Sequence, residues 1–362
     1  MKTKLTIKNI AEMAGVSIGT VDRALNNRPG INEKTKDKIL SLTEEFGYKT
    51  NRFASALVKA KDIRIGVIAP FTSFVSYDIE RGMKQAQNEL SDYSIEMEFF
   101  YTKYFETKKQ IEILENINHN DFDALLINAC GKPVEKYLNK YFDNRIPVAT
   151  FNSDITTSKR LFYIGQNSYK AGALAAGLVH RNLSHYKRVV VFTGFKDVDS
   201  HKLRCCGFMD EVKRYMADVD IIGPIEYFDD DNCAFKIATE EFVKHANDIG
   251  IIFITTEPGT IGVVNAAKAY YKEKMPLIIG YDYNEHVRDF LMNNYCFATI
   301  HQSPFAQGYF AVKMLFNHIM HGWVPKSDNI FINSNIILKQ NIDEFEVEET
   351  DIGSYMGLSY LM

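Results

Sequence analysis

The sequence predicts a small all-α head of three helices, followed by an α/β body of two doubly wound parallel-sheet lobes. Three observations predict it. Near the amino end, apolar residues recur at the i, i+3, i+4, i+7 spacing of helices with one buried face. From Ile63 onward, short β-rich apolar runs alternate with helical stretches, which implies βαβ units and a parallel sheet. That alternation runs through one series, restarts after Tyr163 and runs through a second. At 362 residues the chain is long enough for two or three domains with sizeable cores.

The head is organised by Thr6 to Asn26, TIKNIAEMAGVSIGTVDRALN. Ile7, Ile10, Ala11 and Ala14 form one helical stripe, and Gly15 breaks that helix. Ser17 is a good N-cap for the next, with Val21, Ala24 and Leu25 inward. Two short helices around a tight Gly-containing turn are a helix-turn-helix, whose second helix enters the DNA major groove; periodicity alone also admits an ordinary helical hairpin. After a polar loop, Asn32 can cap a third helix, with Ile39, Leu42 and Phe46 inward and Gly47 as its stop.

Charge divides the same way. Residues 1–61 hold 12 basic and 6 acidic side chains, leaving 30 basic and 40 acidic in the remainder. A head of net +6 on a body of net −10 suits phosphate neutralisation by the head alone. No apolar run approaches the roughly 18–20 residues that span a bilayer, so no membrane partner is expected. MKTKLTIKNIAEM has no apolar core of signal-peptide type, which predicts a cytoplasmic protein, and five scattered cysteines read as reduced thiols.

In the body, IRIGVIAPF opens the first series and is followed by helix YDIERGMKQAQNEL and strand SIEMEFFY. FDALLINA and IPVATFN are further strands with helices between them. The second series contains strands RVVVFTG, IIGPIEYF, GIIFITT and PLIIGYDY, again separated by helices. Ligands of such folds bind at the carboxyl ends of the strands. Polar and aromatic residues gather there: Phe74 and Tyr77, then Asn152 and Asp154, then Arg204, Thr256, Asp282 and Gln302. Aromatic faces with Asp, Asn, Arg and Gln are the side chains that grip a sugar or polyol. Asp229-Asp230-Asp231 reads instead as a turn.

The wording of the first helices strongly resembles the head of the LacI/GalR transcription regulators. It carries Lys8-x-Ile10-Ala11-x-x-Ala14-Gly15-Val16-Ser17, then Thr20-Val21, Arg23 and Leu25-Asn26, but Asp22 where the family usually has Ser. Residues 51–61 resemble the family's hinge, which places Leu57 as the apolar wedge into a minor groove, with Thr50 and Ser55 in place of the usual Pro and Arg. The body is similar to the type I periplasmic sugar-binding fold of those regulators. The resemblance puts Asn152 where ribose-type proteins have a ligand Asp, and Arg204 on their ligand Arg. It puts Thr256 on a ligand Asn, Asp282 on a ligand Asp and Gln302 on a ligand Gln.

These readings together divide the chain into a helix-turn-helix domain (1–50), a hinge (51–61), a bilobal ligand-binding and dimerisation body (62–340) and a solvated or loosely docked tail (341–362). Lobe 1 is expected at about 62–163 plus 283–321, and lobe 2 at about 164–282 plus 322–340. In the recognition helix, Ser17 and Thr20 suit phosphate contacts, and Asn26 a further one. The resemblance puts Ile18 and Gly19 on the family's two main base-reading positions, with almost no hydrogen-bonding capacity, and Arg23 is the candidate for a bidentate guanine contact. Asp22 either accepts from a cytosine or orients a neighbour.

The function expected is a DNA-binding regulator, most simply a repressor, that acts as a homodimer on a pseudo-palindromic operator and answers to a small sugar or polyol. Sugar phosphates fit less well, because Arg204 is the single cation that stands out in the cleft. No cofactor is implied. An enzyme or a solute-binding protein on the same fold is the alternative, but the chain has no GxxxxGK(S/T), HExxH or GxSxG motif.

Overall fold

The computed structural model describes residues 7–25, 30–45, 62–70, 73–103, 106–180, 188–215, 218–245, 248–272 and 274–345. They fall into two compact units, the head and a body that begins at Ile63. Asn26, Phe46, Gly47, the hinge with Leu57, and residues 346–362 lie outside the described residues.

The head consists of α1 (Ile7–Ala14), α2 (Ile18–Leu25) and α3 (Glu33–Glu45). Gly15 sits at φ 71°, the left-handed geometry that ends a helix without steric cost to glycine. The Ser17 hydroxyl accepts from the Thr20 amide at 3.2 Å, and Asn32 caps α3 by accepting from the Thr35 amide at 2.8 Å. Ile10, Ala11, Ala14, Val21, Ala24 and Ile39 close a single core between the three helices. Lys38 adds a bond across it, donating from Nζ to the Ala14 carbonyl at the carboxyl end of α1.

The body begins with β1 (Ile63–Pro70), α4 (Phe74–Glu89), β2 (Ile95–Thr102), α5 (Thr107–Asn116), β3 (Ala124–Ile127), α6 (Glu135–Asp143), β4 (Val148–Phe151) and β5 (Phe162–Gln166). The chain then crosses into α7 (Ser168–Val179), β6 (Arg188–Thr193), α8 (Asp199–Tyr215), β7 (Asp220–Glu226) and α9 (Asp231–His245). It continues with β8 (Ile249–Ile254), α10 (Glu257–Tyr270), β9 (Leu277–Tyr281), α11 (Glu285–Met292) and β10 (Ala298–His301). It returns through α12 (Pro304–His321) to β11 (Asn329–Ile332) and ends with β12 (Asn335–Ile337).

Two six-stranded sheets result, one ordered β11-β5-β4-β3-β1-β2 and the other β12-β10-β9-β8-β6-β7. Every neighbouring pair of the first sheet is parallel; in the second only the β10–β12 edge is antiparallel. The central strands read as continuous apolar runs because both of their faces are covered. In β6 and β8, for example, Val189, Val191, Ile251 and Phe253 pack in one core with Phe208, while Val190, Phe192, Ile252 and Ile254 pack in the other with Phe242.

The lobe boundary differs from the sequence expectation. β10 pairs with β9 and β12, so residues 283–301 belong to lobe 2, whereas β11 pairs with β5 and belongs to lobe 1. The chain therefore crosses between lobes at Asn167, at Gln302–Ser303 and at Asn333–Ser334. The start of the expected tail is also corrected. Ile342 and Phe345 are buried in the lobe 2 core, where the Phe345 ring meets Tyr283 and His301 edge-on.

Helices α7 and α8 touch backbone to backbone. A Cβ on Gly172 would lie 2.0 Å from the Arg204 carbonyl oxygen, and one on Gly207 would lie 1.9 Å from that of Tyr169. Only glycine allows this approach, and it fixes the turn of α8 that carries Arg204.

Candidate functional site

The carboxyl ends of both sheets face a cavity of about 310 Å³ between the lobes. Lobe 1 contributes Pro70 at the end of β1, Ser73 and Phe74 at the start of α4, and Asn128 and Asn152 after β3 and β4. Lobe 2 contributes His201 and Arg204 from α8, Asp229 and Asp231 after β7, and Thr256, Glu257 and Asp282 after β8 and β9. Gln302 lies on the crossover between them.

Backbone geometry aims several of these side chains. Asn152, Asp229 and Asp282 have φ of 60°, 51° and 58°, left-handed values that Asn and Asp tolerate better than other non-glycine residues. Three such turns around one cavity are the kind of local strain that gathers at functional sites.

A continuous hydrogen-bond network runs through the floor. Asn152 donates to the Gln302 side-chain oxygen at 3.0 Å, and Arg204 donates to the same oxygen through Nη2 at 2.8 Å. Gln302 in turn donates to Asp282 at 2.7 Å. Arg204 also donates through Nη1 to the Thr255 carbonyl at 2.9 Å and lies 4.0 Å over the Tyr281 ring. Of the buried side-chain atoms without a hydrogen-bond partner among the described residues, three belong to the cavity lining: Arg204 Nε, Asn128 Oδ1 and Asp231 Oδ1. Arg204 and Asn128 are the most deeply buried of the three, both more than nine-tenths. Groups in that state cost free energy unless something fills the cavity and bonds them.

Electrostatics distinguish the walls. Burial pushes Glu257 up to about 8, helped by Asp282 and Asp231, and raises Asp229 and Asp231 to about 6 and Asp282 above its ordinary range. His201 goes the other way, to about 3, through burial and the neighbouring Arg204. Its Nδ1 accepts from the Phe195 amide at 3.0 Å, so the neutral ring carries its hydrogen on Nε2.

Six of the eight residues expected to bind ligand line the cavity: Phe74, Asn152, Arg204, Thr256, Asp282 and Gln302. The Thr256 hydroxyl donates to Asp229 at 2.6 Å. Two do not line it. Tyr77 is exposed on the surface of α4, in a shallow depression with Tyr101. Asp154 is buried in a fork with Arg160, at 2.9 and 2.7 Å, and accepts from Thr150 at 2.6 Å. Asn128, His201, Asp229, Asp231 and Glu257 were missed. Asn128 follows a strand, so the carboxyl-end rule pointed to it. Asp229 does sit in a turn, yet that turn faces the cavity.

In the head, Ser17, Gly19 and Arg23 are exposed and Thr20 half-exposed, while Val21 and Ala24 are buried, so the expected DNA-facing positions share the outer side of α2. The Ile18 and Asp22 side chains, like Asn26 and Leu57, lie outside what the structure describes.

A two-lobed α/β body with its cleft at the strand ends defines a binding protein of the periplasmic type. Residues 65–322 match the periplasmic binding protein domain, and residues 6–51 match the bacterial regulatory proteins, lacI family. The chain belongs to the periplasmic binding protein domain family and carries a lacI-family regulatory domain at its amino end. It is 26% identical over 287 residues to the probable HTH-type transcriptional repressor ExuR of Bacillus subtilis, covering 77% of this chain and 81% of the relative. It is 25% identical over 248 residues to the ribose operon repressor of the same organism, covering 68% and 72%. Its body shares the fold of an ABC transporter solute binding protein from Burkholderia graminis, solved in complex with D-arabinose. That likeness has a TM-score of 0.72 at 21% identity over 78% of this chain and 97% of the other.

Proposed function

We propose that the chain is a sequence-specific DNA-binding transcriptional regulator, acting as a repressor, whose operator affinity is set by a small sugar-like ligand between the two lobes. The observation that carries the reading is the cleft itself. It holds buried polar atoms that lack partners among the described residues, Arg204 Nε and Asn128 Oδ1 among them, on a chain whose other unit is a helix-turn-helix. Six cleft residues, Phe74, Asn152, Arg204, Thr256, Asp282 and Gln302, are assigned to the ligand. Ser17, Ile18, Gly19, Thr20, Arg23, Asn26 and Leu57 are assigned to DNA.

The crossovers supply a route for coupling. Gln166 donates to Ser334 at 2.9 Å and accepts from the Tyr281 hydroxyl, while Asn335 donates to Ser303 at 3.2 Å. A ligand that bonds both walls favours one arrangement of these strands, and only such differential binding can move the equilibrium. The active species is a cytoplasmic homodimer on a pseudo-palindrome, because a single three-helix head makes few contacts. It needs no cofactor and performs no catalysis.

Enrichment of random double-stranded DNA on the full-length protein tests the reading. A two-fold-related motif should emerge, with affinity that falls steeply with salt. Recovery of unselected DNA would overturn the regulator.

A further inference from the structure

We propose that the cleft takes a hydroxylated primary amine, an amino sugar carrying a positive charge, in preference to a neutral sugar or a sugar acid. This rests on the cleft being the effector site. The lobe 2 wall presents Asp229, Asp230, Asp231, Glu257 and Asp282, while the lobe 1 wall of Pro70, Phe74, Asn128 and Asn152 carries no charge. Arg204 is the one Lys or Arg of the lining, and its bonds go to the Thr255 carbonyl and the Gln302 amide. Among the described residues none of these five acids takes part in a salt bridge. Asp229 is bonded to the Thr256 hydroxyl, Glu257 to the Asn284 amide and Asp282 to Gln302, all neutral groups. One buried oxygen of Asp231 has no partner.

Buried carboxylates with neutral partners resist ionisation, which is why Glu257, Asp229 and Asp231 are all held above their ordinary range. Arg204 offsets Asp229 and Asp282 in part, but no Lys or Arg among the described residues acts on Glu257 or Asp231, and an ammonium group supplies the counter-charge there. Among the described residues no group of three or more His, Cys, Asp or Glu is placed to hold a metal ion. The rest of the ligand is defined independently. Arg204 Nε needs an oxygen acceptor and Asn128 Oδ1 needs a hydroxyl donor. The cavity volume of about 310 Å³ is at the small end for ligand sites, which favours a monosaccharide.

Titration calorimetry on the full chain tests this with D-glucosamine, D-galactosamine and D-mannosamine. Each is paired with its N-acetyl derivative, its parent hexose and the matching uronic acid. At least one amine should bind on the order of tenfold more tightly than its uncharged pair. Glu257→Gln and Asp231→Asn, which keep shape and remove charge, should shrink that ratio toward one. Hexoses binding as well as amines, or a ratio unmoved by either variant, would overturn the amine and leave the regulator standing. Binding by neither class would overturn the cleft as the effector site as well.

Discussion

The side-chain oxygen of Gln302 accepts from Arg204 at 2.8 Å and from Asn152 at 3.0 Å, so one atom on a crossover is bonded by both lobes. Removing Arg204 strips the cleft of a charged donor and leaves Gln302 half-bonded. Arg204→Ala should weaken ligand binding by about 10- to 100-fold, as expected for losing a hydrogen bond from a charged group, while operator binding without ligand persists. Calorimetry beside fluorescence anisotropy on operator DNA measures both. Unchanged ligand affinity would remove Arg204 from the site.

Gly172 tests the support beneath that arginine. The side chain of Gly172→Ala would sit 2.0 Å from the Arg204 carbonyl, forcing α7 and α8 apart. Overpacking of this kind costs about 1–3 kcal/mol. Thermal melting should show the loss, and ligand affinity should fall with it although Gly172 touches no ligand. A variant as stable as the parent would mean the helices have room to part.

Asp154 separates a structural role from a binding one. Its carboxylate neutralises Arg160, whose side chain is only 2% exposed, and the remaining ionic partner of Arg160, Asp328, is 61% exposed. Asp154→Asn should destabilise the body by about 3–5 kcal/mol, the cost of breaking a buried pair, yet leave the ligand Kd of the folded protein unchanged. A shifted Kd at full stability would return Asp154 to the ligand set.

The acids of the cleft predict a pH dependence with a definite sign. Glu257 is raised to about 8 in the folded state against about 4.3 unfolded, with Asp282, Asp231 and Asp229 facing it and Asn284 bonded to it. Its contribution is therefore complete below pH about 4.3 and is lost as pH rises toward 8. His201, lowered from 6.5 to about 3, acts oppositely: its contribution is present above pH about 6.5 and is lost as pH falls toward 3. It is the same in the parent and in Glu257→Gln, so it cancels between them. Melting temperatures of Glu257→Gln should fall less than those of the parent between pH 5 and about 8. Parallel curves would exclude Glu257 as the source.

Two substitutions address the head. Arg23→Ala should relax operator discrimination by about 1–3 kcal/mol without touching ligand binding. Gly19 has open space, its added Cβ meeting only Ser17 Oγ at 3.8 Å, so Gly19→Ala should stabilise α2 by up to about 1 kcal/mol. It should also alter base preference at the contacted step. Competition between operator variants reads both effects.

The element types from β1 to β9, β5 excepted, were legible because most of those strands are apolar runs and the stretches between them have helical length and composition. The cleft followed from where strands end. The short strands β5, β10, β11 and β12 and the helices α11 and α12 were not read from the sequence. Sheet membership was not legible. β10 and β11 are both short strands, and nothing in ATIH or NIFI says which sheet each joins. Asn152 and Asp154 stand two residues apart in a polar loop, and the contact that separates their roles is with Arg160, fixed only in three dimensions. Phe345 was hidden by its acidic neighbours in DEFEVEE, although tertiary burial needs only one apolar side chain facing inward. The acids after β7 read as a turn, which they are, but charge alone does not reveal that the turn faces the cleft.

The three crossings between lobes also bear on how the chain is made. β11 adds to the edge of a sheet whose other five strands are complete by Gln166, with all of the second sheet except β12 intervening. A growing chain thus presents β5 as an open edge until residue 332 has left the ribosome. An unpaired strand of that kind is a site for mispairing with other chains. Premature termination anywhere in the second lobe therefore yields an aggregation-prone fragment, not a smaller working protein.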